Sequence, residues 1–80
     1  MLIIFSDHAK IKMKQRGLTQ SRVKDVLNNP DLTLSSHDGR TITEKNFGKL
    51  NLRVVYIKEN SNIIIVTAHW TEKKKDENSL

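Results

Sequence analysis

The sequence predicts an α+β domain in which a helical hairpin precedes an antiparallel sheet of about four strands. Three observations carry this reading. Apolar residues up to Leu27 recur at helical spacing, the period falls towards two after Pro30, and the later segments are separated by short turns at Gly39, at Gly48 and at Glu59-Asn60-Ser61-Asn62. A chain of 80 residues has room for one small domain. Every apolar residue but Leu80 lies before Thr71, so residues 1–70 are read as the domain and 71–80 as a flexible charged tail.

Met1 to Phe5 is too short for a helix and reads as a strand or an arm on the core. Ser6 or Asp7 offers an N-cap oxygen for a helix running to about Arg16, and Gly17 stands where a left-handed residue ends a helix. Ala9 and Met13 form its inner edge, while His8, Lys12, Gln15 and Arg16 share an adjacent polar stripe. Thr19 caps a second helix, with Leu18 closing on Val23 and with Val26 and Leu27 buried. Asn28-Asn29-Pro30 ends it. Leu32 and Leu34 then alternate with Thr33 and Ser35, and a turn at His37-Asp38-Gly39-Arg40 leads to the strand Thr41 to Phe47. The runs 54–57 and 63–66 are too continuously apolar for one-sided burial, which places their strands centrally.

The formal charge is +5. The acids and bases of the tail cancel, so the excess belongs to the domain. Lys10, Lys12, Lys14, Arg16, Arg22 and Lys24 crowd between His8 and Lys24 with no acid among them. Such a field draws a polyanion or an acidic protein partner. The absence of cysteine removes disulfides, thiolate catalysis and Cys-type metal sites, and fits a cytoplasmic setting. No segment has the length of a membrane span or the form of a signal peptide. No H-x-x-x-H or paired carboxylates mark a metal site, no Gly-rich loop marks a nucleotide site, and no cofactor is expected.

Chemistry therefore falls to His, Arg, Lys and Tyr. His69, at the end of the last strand, is the best acid or base candidate. Strict alternation puts it on one face with Thr67, Ile65 and Ile63, and puts Trp70 on the other as a packing residue. Arg53 on a central strand needs an anion or a carboxylate to meet it, and Glu44 on the neighbouring strand could be that carboxylate. Tyr56 falls on the opposite face from Arg53 and reads as core. His8, in the first turn of a helix, is a further catalytic candidate, with Lys12 and Arg16 beside it to hold phosphate. Arg40 and Lys45 are cationic candidates for nucleic acid, five residues apart and so on opposite faces. His37 reads as incidental.

The order Phe5-Ser6-Asp7-His8-Ala9, Arg16-Gly17-Leu18-Thr19, Asn29-Pro30, Gly39-Arg40, Leu52-Arg53-Val54-Val55-Tyr56 and Ile64-Ile65-Val66-Thr67-Ala68-His69 resembles the RelE/ParE-like toxin superfamily. Within it the chain looks closest to a small uncharacterised family, a domain of unknown function, and the layout is also similar to the BrnT toxins. The resemblance covers roughly residues 4 to 70. It implies a RelE-like fold and a metal-independent endoribonuclease of a toxin-antitoxin system. Catalytic roles pass to His69, Arg53 and His8, and nucleic-acid contacts to Lys12, Arg16, Arg40 and Lys45. The implied partners are RNA, including RNA on the ribosome, and an antitoxin protein, with homodimerisation open and no membrane. A non-catalytic binding module on the same fold, including a ParE-like gyrase poison, is the alternative.

Overall fold

A computed structural model of the chain describes residues 2–36 and 38–72. His37 and the part of the expected tail from 73 onward lie outside the described residues. The element order is β1 (Ile3–Phe5), α1 (Asp7–Gln15), α2 (Gln20–Asn28), β2 (Leu32–Ser35), β3 (Arg40–Phe47), β4 (Leu50–Glu59) and β5 (Asn62–Glu72).

Local chemistry sets the hairpin. The Ser6 hydroxyl accepts from the Ala9 N–H, 3.1 Å, and opens α1. The Thr19 hydroxyl accepts from the Arg22 N–H, also 3.1 Å, and opens α2. Between them Gly17, at φ +65, closes α1 in a Schellman turn: the Leu18 N–H donates to the Met13 carbonyl and the Gly17 N–H to that of Lys14. A Cβ at Gly17 would meet nothing within 4 Å, so the cost of one is conformational. Gly17→Ala is expected to lower stability by about 1 kcal/mol, read as a lower urea midpoint at unchanged slope.

The sheet has five strands in the order β1-β5-β4-β3-β2, one more than the pattern predicts. The extra strand is β1, which pairs parallel with β5 through Ile3↔Ile63, Ile4↔Ile64 and Phe5↔Ile65, so the sheet is mixed. Both helices cover one face, α1 against β5 and α2 against β4 and β3. The core between these layers holds Phe5, Ala9, Met13, Leu18, Val23, Val26, Leu52, Val54, Tyr56, Ile63, Ile65 and Ala68. Tyr56 is buried there, as its parity predicts. Thr71 and Glu72 continue β5 opposite Asn51 and Leu50, beyond the expected start of the tail.

Two hairpin turns and one bulge decide which side chains meet on the other face. Gly48-Lys49 links β3 to β4 with Phe47 opposite Leu50, which sets Glu44 opposite Arg53. Asn60-Ser61 links β4 to β5 with Glu59 opposite Asn62, and this register holds to Tyr56↔Ile65. There the pairing slips: Val55 meets Thr67, and Val66 is the extra residue of a bulge. An unbroken ladder would set Arg53 against Ala68 and turn His69 towards the helices. With the bulge, His69 stands opposite Arg53 and Ala68 is buried. Strict alternation therefore misassigns His69: it shares a face with Thr67 but not with Ile63 and Ile65, which point into the core.

Candidate active site

Two neighbouring rows at the centre of the helix-free face run across the strands. One is apolar: Val55 and Ile42 lie between Thr67 on β5 and Leu34 on β2. The next is His69, Arg53, Glu44 and Leu32, one residue from each of β5, β4, β3 and β2. Apolar neighbours on one side raise the cost of any unpaired charge in the second row.

Glu44 is 7% exposed, a rare burial for a carboxylate, and it is met by donors on both oxygens. Arg53 places Nη2 at 2.7 Å and Nε at 2.8 Å from Glu44 Oε2. The Asn51 amide donates to Oε1, 3.3 Å, while its own oxygen accepts from Asn46 Nδ2 at 2.8 Å. This side-on grip fixes the plane of the Arg53 guanidinium. The cross-strand ion pair read from the sequence is present, and it orients Arg53 rather than leaving it a loose cation.

The second cation comes from the helical hairpin. Because β1 covers β5 only as far as Ile65, the outer edge of β5 beyond that residue lacks a strand partner among the described residues. The Ala68 carbonyl on this edge accepts from Arg16 Nη1 at 2.8 Å, and the Thr67 hydroxyl accepts from the same nitrogen at 3.4 Å. Arg16 is thus anchored by neutral acceptors, and no carboxylate pairs with it among the described residues.

His69 lies half-buried between these two guanidiniums. Burial first, then the positive fields of Arg16 and Arg53, hold its pKa below the ordinary 6.5, with Glu44 opposing them weakly. At neutral pH the imidazole is uncharged, ready to accept a proton and, once protonated, quick to release it. An anion placed among Arg16, His69 and Arg53 would find two cations and a ring that charges more readily in its presence.

The other sequence candidates lie elsewhere. His8 is exposed in the first turn of α1, and eight residues, about 12 Å along a helix, separate it from Arg16. Lys12 is half-buried on the same helix. Arg40 is tied into the β2–β3 turn, its Nε 3.5 Å from Asp38 Oδ2. A hydrogen bond from the Ser36 hydroxyl is the main cause that lowers the Asp38 pKa. Lys45 points to the helix side, where its Nζ donates to the Asn29 carbonyl at the end of α2, 3.2 Å. Arg40 and Lys45 are thus on opposite faces and neither joins the row. Trp70 packs edge-on to Phe47, centroids 6.0 Å apart at 87°, and Arg22 lies 4.7 Å above the Phe47 ring.

Thr67 and Asn51 join the site without being candidates from the sequence. Asn51 is reachable from it, since the register that joins Glu44 to Arg53 also sets Asn46 against Asn51. Thr67 is not, because its place beside Arg16 depends on the bulge and on the short reach of β1. Among the described residues no three His, Asp or Glu side chains gather as metal ligands, and no helix is long and apolar enough to cross a membrane.

No curated protein and no solved structure matches the chain. A family model does match, from the residue that opens the core at Phe5 to the one that ends the packed part of β5 at Trp70. On that match, over residues 5–70, the chain belongs to the family described as a domain of unknown function, DUF4258.

Proposed function

We propose that this protein is a metal-independent endoribonuclease of the RelE/ParE-like toxin type, acting through His69, Arg53 and Arg16. One observation carries the reading: a histidine with a depressed pKa stands between two anchored guanidiniums on an open sheet face. In the reaction His69 takes the proton of a ribose 2′-hydroxyl, whose oxygen attacks the adjacent phosphorus. Arg53 and Arg16 stabilise the phosphorane oxygens. The P–O5′ bond then breaks, the 5′-oxygen leaves with the proton that His69 returns, and the products end in a 2′,3′-cyclic phosphate and a 5′-hydroxyl. The lysines of α1 supply the longer-range field that brings RNA to the face, and an acidic antitoxin is the partner that such a field suits.

A binding module on the same scaffold is the competing reading, favoured by the way Glu44 already neutralises Arg53. Purified protein incubated with RNA in a chelator separates the two. Cyclic-phosphate ends are the expected result. Intact RNA, with growth arrested on induction, would point to a ParE-like poison of a protein target; intact RNA with no arrest would point to a binding module.

A further inference from the structure

The outer edge of β2 has no strand partner among the described residues. The helices pack on β5, β4 and β3, and all four residues of β2 are exposed, Leu32 at 46% and Leu34 at 50%. Which backbone groups face outward follows from the ladder. The Ser36 N–H donates to the Arg40 carbonyl, 2.8 Å, in the register that sets Ser35 opposite Thr41. Backbone groups alternate in direction along a strand, so Leu34 and Leu32 turn theirs to β3 as Ser36 does, and Thr33 and Ser35 present theirs to solvent. An edge of this kind is commonly blunted by a charge or a proline. The strand Leu32-Thr33-Leu34-Ser35 has neither.

We propose that this edge pairs antiparallel with β2 of a second copy of the chain, giving a twofold dimer with one continuous sheet. The edge is self-complementary. With Thr33 opposite its own counterpart, the two residues exchange a pair of N–H···O=C bonds. The same register sets Leu32 opposite Leu34 of the second copy, and Leu34 opposite Leu32, at the closer spacing of pairs that share no hydrogen bond, where side chains pack best. Charge argues for this occupant. With no charged side chain on β2, the edge offers main chain and two leucines two residues apart, and a second β2 offers the same without opposing like charges. The other edge strand, β1, has exposed apolar neighbours in Leu2 and Ile4, but α1 with Lys10, Lys12 and Lys14 packs on β5 beside it, so pairing there would bring two sets of cations together. A twofold contact uses both β2 edges and closes, so no filament grows through it. Both His69 rows stay open, on the same face of the shared sheet.

Two short strands bury less than the ~1,200 Å² of a standard interface, so association is expected between about 10 μM and 1 mM. Sedimentation velocity over that range measures it, and amide hydrogen exchange of the isotope-labelled protein locates it. The dimer fraction should rise with concentration, and exchange at Thr33 and Ser35 should slow in step with it. Thr33→Pro removes an N–H that β3 does not use, so the fold should be kept while association falls at least about tenfold. Leu34→Lys, at an exposed position, sets a cation against Leu32 of the second copy and should do the same; it carries the test if the proline variant does not fold. A monomer throughout, a dimer that the folded variants leave intact, or slowing at Ile4 in place of Thr33 would overturn the proposal. So would slow exchange at Thr33 and Ser35 that does not depend on concentration, which would mean that the chain covers this edge itself.

Discussion

His69→Ala is expected to lower RNA cleavage by ~10²- to 10⁴-fold while the protein stays folded. The imidazole is the proton-transfer group of the proposed reaction, and it lies on the open face, so removing it takes away proton transfer without opening the core. The pH dependence gives the same assignment a direction. With the His69 pKa held below 6.5, kcat/KM of the native protein should rise with pH below that value and then level off, as the ring loses its proton and becomes a competent base. Stability carries the same sign. The folded state binds fewer protons at His69 than the unfolded chain, so this contribution is present above pH 6.5 and is lost as pH falls towards the folded pKa. His69→Ala should therefore lose less stability on acidification than the native protein does.

The second large effect is on the fold. Ile65 is fully buried where β1, β5 and β4 run side by side, flanked by Phe5 and Tyr56 and covered by α1. Ile65→Ala removes most of an apolar side chain from a site hemmed in by backbone on two sides, where relaxation can refill little of the space. A loss of about 2–5 kcal/mol is expected, against a total of roughly 5–15 kcal/mol for a folded domain. Urea unfolding of the two proteins side by side measures it. A loss under about 1 kcal/mol would mean that the layers repack freely and that the bulge next to Ile65 is not rigidly held.

The helical hairpin was legible because its signals are local. Ser6, Gly17 and Thr19 each act within four residues of themselves, and all three do in the structure what their chemistry predicts. The register of β3 on β4 was legible for a similar reason, since a two-residue turn at Gly48 fixes every pair behind it, Glu44 with Arg53 among them. The parallel docking of β1 was not: three residues pair with a strand some sixty positions away, and no turn announces the contact. The bulge was hidden by composition. Ile63, Ile64, Ile65 and Val66 are all apolar, so a shift of one residue leaves no polar side chain in an obviously wrong place until Thr67. That hidden residue is what turns His69 towards Arg53. By helical spacing alone Arg16 shares a stripe with His8 and Lys12. It leaves that group because it follows the last turn of α1, where an unpaired carbonyl on β5 lies within reach.

A titration of the His69 ring protons by nuclear magnetic resonance tests most directly whether a neutral His69 is held between two guanidiniums and ready for an anion. The predicted midpoint lies below 6.5 in the free protein, moves up in Arg16→Ala as one positive field is removed, and moves up in the native protein when phosphate is added. A midpoint at or above 6.5 without ligand, or one that ignores both Arg16→Ala and phosphate, would contradict it.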